Sequence, residues 1–191
     1  MSEKNFKIVL ALIVTVLVAG IIFILINFQP KNNPPVINNN LNPLLPMKIT
    51  SSAFNSNDHL PGKFTCDGIG SNPPLQISDV PENAKSLALV MDDPDAPSGT
   101  FVHWVLWNIP PATAEIAEGS LPEKTVVGRN TLGENTFVPP CPPSGTHHYV
   151  FKLYALDTIL NLSPATDQMA LEQMMQNHIL AQAELIGLYS R

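Results

Sequence analysis

Apolar and polar positions divide the chain into three stretches of different periodicity. From Ile8 to Ile26 nineteen residues pass without a charge, interrupted only by Thr15 and Gly20. At 1.5 Å per residue a helix of that length spans roughly 28 Å, one crossing of a bilayer's hydrocarbon core. Residues 27–46, NFQPKNNPPVINNNLNPLLP, hold seven Asn and five Pro with no apolar period, a composition that builds a semi-extended spacer rather than a core. Beyond Met47 short apolar runs alternate with Pro, Gly, Asn and Asp. SLALVM (86–91), FVHWVLWNI (101–109) and HYVFKLYAL (148–156) are rich in β-branched and aromatic residues and too short for most helices, which predicts strands. The connections DDPDAPSGT and VPPCPPSGT combine proline-limited φ with glycine freedom and read as turns. Ser163 as N-cap and Pro164 at the first helical position predict a helix to about His178, with Met169, Leu171, Met174 and Met175 packing into the core. ILAQAELIGLYS then sets Ala181, Ala183 and Leu185 against Gln182 and Glu184, the alternation of a closing strand. Residues 47–191 are therefore expected to form a largely antiparallel β domain.

Charge changes the picture at both ends. Lys4 and Lys7 precede the apolar span, and the positive-inside bias keeps residues 1–7 cytoplasmic and sends the rest outward. A removed signal peptide is the competing reading, but it needs a shorter apolar region and a small-residue cleavage site, and FILINFQPK offers none. The expected organisation is a transmembrane signal anchor at 8–26, a linker at 27–46 and a folded domain at 47–191 on the periplasmic or extracellular side. Three of the ten basic and one of the sixteen acidic residues lie before Met47, leaving seven against fifteen and a net charge of −8 on the domain. Such a surface disfavours nucleic acid and anionic lipid, so the membrane is met through the N-terminal helix alone. Cys66 and Cys141 are the two cysteines. In an oxidising compartment a single pair is more simply a disulfide than a metal site, with two unpaired buried thiols as the alternative.

Two stretches concentrate the chemistry. VMDDPDAPSGTFVHW (90–104) carries Asp92, Asp93, Asp95 and His103, and CPPSGTHHY (141–149) carries His147, His148 and Tyr149. Both run from a proline-rich turn through Ser-Gly-Thr to a histidine entering an aromatic strand. Successive strand residues face opposite sides, so His147 and Tyr149 share a face and His148 does not. Ser98 and Ser144 follow proline in tight turns and lie in no G-x-S-x-G elbow, so turn capping explains them. His103, His147 and a carboxylate are chemically adequate for zinc, yet they lack the compact spacing of a zinc motif, and no metal is expected.

DDPDAPSGTFVHW followed by PPSGTHHY resembles the two signature stretches of the phosphatidylethanolamine-binding protein family, and FTCDGIGSNPPLQISDVPENAKSLALVMDDPDAP is similar to its bacterial and archaeal branch. The resemblance covers nearly all of 47–191. It implies a mainly β fold, a large central antiparallel sheet packed on a smaller one, with a C-terminal helix and closing strand. It also implies a small surface pocket for phosphate-like and other anions, lined by Asp93, Asp95, His103, His147 and Tyr149 with Pro140 at its wall, and it supports a bridge between Cys66 and Cys141. Asp92 has no counterpart and is expected to be a solvated neighbour. In the reading developed from these residues, Asp93 or Asp95 orients an imidazole, His103 above all, so that His103, His147 and the Tyr149 hydroxyl donate to ligand oxygens, with affinity rising toward mildly acidic pH. No cofactor is expected. Reversible binding of a small anionic ligand is preferred to catalysis, with acid-base chemistry on a small phosphorylated substrate and inhibition of an extracytoplasmic protease or other protein partner as the alternatives.

Overall fold

The structure, a computed structural model, describes residues 47–191. The expected anchor at 8–26 and linker at 27–46 lie outside the described residues. Among those described, no helix is long and apolar enough to cross a membrane.

Six strands form the large sheet: β2 (Asp58–His59), β4 (Ser86–Asp93), β5 (Phe101–Ile109), β7 (Val126–Val127), β8 (Thr146–Leu156) and β9 (Ile179–Ser190). Their order is β2-β9-β8-β4-β5-β7, antiparallel except for the parallel pairing of β2 with β9. The small sheet has the order β1-β3-β6, from β1 (Lys48–Thr50), β3 (Leu75–Ser78) and β6 (Glu115–Ile116). The three apolar runs read as strands are the three central ones, and the closing strand forms as expected.

Each face of the large sheet is covered, which is why SLALVM is continuously apolar rather than alternating: all eight residues of β4 are buried. The front face, carrying Leu87, Leu89, Met91, Trp104, Leu106, Phe151 and Leu153, packs on Ile49, Leu75, Ile77 and Ile116 of the small sheet. The back face, carrying Ala88, Val90, Val105 and Trp107, packs on Leu160 and on Leu171 and Met175 of the single described α-helix, α1 (Gln168–Met175).

The helix departs from expectation at both ends. Ser163 does not cap it; its hydroxyl accepts from the Ala165 N–H in a local turn. The carbonyls of Pro164 and Thr166 are taken by the Asn135 side chain and the Arg129 N–H, so they cannot start an α-helical ladder. Asp167 caps instead, accepting from the Ala170 N–H at 2.9 Å. Asn177, in the left-handed region at φ 67°, follows the C-terminal end at Met175. With this shorter helix Met175 and Leu171 reach the core, whereas Met169 and Met174 are exposed, correcting the expectation that all four pack inside.

Two irregularities in β5 set the site. Leu87 pairs with Ile109 and Leu89 with Leu106; nearer the site, Met91 pairs with Trp104 but Asp92 with Val102. The second shift leaves His103 as an extra residue. Strict alternation from Trp107 and Val105 would put His103 on the back face; the bulge returns it to the front, with Phe101.

Candidate functional site

At the front-face end of β4, β5 and β8 a cavity of about 180 Å³ opens between the two proline-rich turns. Asp93, Phe101, His103, His147 and Tyr149 line its sheet side. Ala96 and Pro97 from one turn and Val138, Pro139, Cys141, Pro142 and Pro143 from the other close it. Four of the five pocket side chains expected from the sequence meet here. Asp95 is not among the lining residues, nor is Pro140, whose place in the wall is taken by Pro139, Pro142 and Pro143. Pro140 instead accepts the Cys66 N–H at 3.0 Å through its carbonyl.

Asp93 holds an imidazole, as the sequence reading allows, but the ring is that of His147 and not that of His103. Asp93 serves His147: the His147 Nδ1–H donates to Asp93 Oδ2 at 2.7 Å, while Asp93 Oδ1 accepts the Asp95 N–H at 2.9 Å. The pair is almost wholly buried, with side chains 7% and 5% exposed. Asp95 serves His148, accepting its backbone N–H at 2.8 Å and its Nδ1–H at 2.7 Å on the exposed side of the turn. That bonding holds the Asp95 carboxyl below its ordinary range. His103 is held by neither aspartate. Its Nδ1–H donates to the Val138 carbonyl at 2.7 Å, which fixes the tautomer and leaves Nε2 as a bare acceptor.

Two buried polar atoms lining this cavity have no protein partner, His103 Nε2 and the Tyr149 hydroxyl. Their rings meet edge to face with centroids 5.3 Å apart. Burial pushes the His103 imidazole below its ordinary value of 6.5, outweighing the pull of the Val138 carbonyl and Asp93. Burial, reinforced by Asp93 and Asp95, raises the Tyr149 phenol, so it remains a donor at all moderate pH. The neutral site thus offers one acceptor and one donor beside a carboxylate–imidazole pair. His103 can donate to a ligand through Nε2 only after taking a second proton, and its burial opposes that uptake.

Cys66 and Cys141 form a disulfide, with Cα atoms 5.4 Å apart, tying the turn that walls the cavity to the loop after the 3₁₀ turn Gly62–Phe64. Asp92 is not solvated, as the sequence suggests. It is 1% exposed on the back face, where Oδ2 accepts from Lys152 Nζ at 2.6 Å. Its backbone neighbour Asp93 points forward, so strand parity sends the two carboxylates to opposite sides of the sheet. Neither Ser98 nor Ser144 lines the cavity, and among the described residues no group of three or more His, Cys, Asp and Glu side chains could hold a metal ion.

Residues 50–190 match the family model described as phosphatidylethanolamine-binding protein. A UPF0098 protein of Pyrococcus horikoshii is 49% identical over 150 residues, 74% of this chain and 75% of that one. Another from Methanothermobacter thermautotrophicus is 47% identical over 150 residues, 76% and 99% of the two chains. Among solved structures, a phosphatidylethanolamine-binding protein homologue from Chlamydia trachomatis superposes with a TM-score of 0.74 at 42% identity, covering 76% of this chain and 97% of that one. Escherichia coli YbcL, described as a new member of the mammalian family, gives a TM-score of 0.71 at 31% identity over 76% and 98%.

Proposed function

The chain belongs to the phosphatidylethanolamine-binding protein family, and from that premise we propose that it is a membrane-anchored, extracytoplasmic receptor for a small anionic, phosphate-bearing ligand. The reading is carried by the pair of unpartnered buried atoms, His103 Nε2 and the Tyr149 hydroxyl, lining one small cavity. A buried polar group without a partner costs about 1–3 kcal/mol, a cost that a ligand making both bonds removes. A hydrogen phosphate or phosphomonoester monoanion supplies a P–OH to donate to Nε2 and a P–O⁻ to accept from the phenol. A cavity of about 180 Å³ admits such a head group and leaves any larger substituent outside.

The location rests on the uncharged span Ile8–Ile26, the Asn/Pro-rich segment after it and the disulfide, which persists in oxidising compartments. Titrating the oxidised full-length chain calorimetrically with phosphate and phosphoethanolamine tests the binding reading. Saturable heat that disappears in a folded His103→Ala/His147→Ala variant is expected; no heat in either protein sinks it. Protease added to spheroplasts, whose outer barrier is removed and whose cytoplasmic membrane is sealed, tests the location and should digest the domain, whereas protection until the membrane is lysed places it in the cytoplasm.

A further inference from the structure

The buried Asp92 opens onto a second, larger cleft on the back face of the sheet, of about 660 Å³, within the range of small-molecule sites. Val102 and Val150, the strand partners of Asp92 on either side, line it with Lys152, and the segment Arg129–Thr131 and the start of α1 form its walls. Most of its polar groups are committed. Asp92 Oδ2 accepts from Lys152 Nζ and from Gln168 Nε2, Glu172 Oε1 accepts from Gln168, and Asp167 Oδ1 caps the helix. Asn130 spends its carbonyl oxygen on the Leu132 and Glu134 N–H groups and its amide on the Thr136 carbonyl.

What remains unanswered is one oxygen and one cation. Asp92 Oδ1 is buried without a donor, in a side chain only 2% exposed. The Arg129 guanidinium at the rim makes no ion pair or side-chain hydrogen bond among the described residues. The bonds from Lys152 and Gln168 both fall on Asp92 Oδ2, so neither answers Oδ1. A buried carboxylate oxygen calls for a charged N–H donor, and an unpaired guanidinium fork matches a carboxylate.

We propose that this cleft binds a zwitterionic ligand of the amino-acid class, a free amino acid or short peptide, with its ammonium donating toward Asp92 Oδ1 and its carboxylate on Arg129. Pro94, Val102, Val150 and Met169 supply apolar wall for a side chain between the two ends. The site is separate from the front cavity and shares no lining residue with it.

Calorimetric titration of the full-length chain with L-alanine and with L-alanyl-L-alanine tests the proposal, beside the N-acetylated and C-amidated forms of each. At least one unblocked compound should bind saturably, the stronger response telling amino acid from peptide. Blocking either end should weaken it about tenfold or more, the equivalent of one charge-assisted hydrogen bond. Asp92→Asn should weaken it similarly. Because Asp92 is buried and that variant can fail to fold, Arg129→Gln at the exposed rim provides the independent loss, again about tenfold. The His103→Ala/His147→Ala variant, in which the front cavity is disabled, should bind alanine compounds as the parent does. No saturable binding by either unblocked compound, or binding indifferent to end-blocking or to Arg129→Gln, overturns the assignment.

Discussion

Removing a single oxygen from the front cavity should make the protein no less stable while impairing its ligand binding. In Tyr149→Phe the only atom lost is a hydroxyl that is buried and has no hydrogen-bond partner in the protein. The ring remains, and with it the edge contact to His103 and the stacked arrangement on His147 at 6.5 Å. An unsatisfied buried hydroxyl costs about 1–3 kcal/mol, partly offset by the packing of the oxygen itself. The variant is therefore expected between neutral and about 1 kcal/mol more stable, a rise in Tm of up to about 3 °C for a domain of this size. In the complex the same hydroxyl donates to an anionic oxygen, an interaction of about 1.5–3 kcal/mol, so phosphate should bind about ten- to a hundred-fold more weakly. Urea unfolding of the full-length chain gives the first quantity and calorimetric titration with phosphate the second. A variant destabilised by more than about 1 kcal/mol would mean that the hydroxyl has a structural partner, and unchanged phosphate affinity would mean that no ligand uses it.

Three further predictions concern the framework. His103 has a folded-state pKa below its unfolded 6.5, so the unfolded chain takes up the proton first: its contribution to stability is intact above about pH 6.5 and is lost progressively as the pH falls from there through the lower folded-state pKa. Urea midpoints at pH 8, 6.5 and 5 should therefore fall more steeply in the parent than in His103→Gln, and parallel profiles would exclude His103 as the cause. Reducing the Cys66–Cys141 bridge releases a loop of 75-residue separation, a loss on the order of 4 kcal/mol in the chain-entropy model. Because Cys141 lines the front cavity, phosphate affinity should fall under dithiothreitol even where the domain stays folded, as read by titration at both redox states. Lys152→Met leaves the Asp92 carboxylate buried without its cation; since Lys152 is 27% exposed, a loss of about 2–3 kcal/mol is expected, below that of a fully buried pair. Adding Asp92→Leu to that variant should recover most of it in a double-mutant cycle, and additive losses would show that the pair is not coupled.

Much of the fold was legible because each element is specified by its own residues. The strands 101–109 and 179–190 follow from β-branched and aromatic density and from alternation, and DDPDAPSGT and VPPCPPSGT could only be turns. The placement of His147 and Tyr149 on one face follows from parity alone, since β8 is regular through them. The helix start was less legible: Ser-Pro is a good local N-terminus, but Asn135 and Arg129, distant in sequence, claim the carbonyls it needs. The burial of Asp92 was missed because no local signal announces it; its cation, Lys152, lies sixty positions away on the neighbouring strand.

The sequence by itself determined the strands, the turn chemistry and the face shared by His147 and Tyr149, which depend on residues within a few positions of one another, and the resemblance to the family, which needs only the order of two short stretches. Which histidine each aspartate orients, which carbonyl holds His103 and which side of the sheet His103 faces were decided only by the tertiary structure. The physical reason is the bulge opposite Met91 and Asp92: its one extra residue reverses the parity of β5 at His103. Its position depends on how β5 registers against β4, not on any residue within β5 alone.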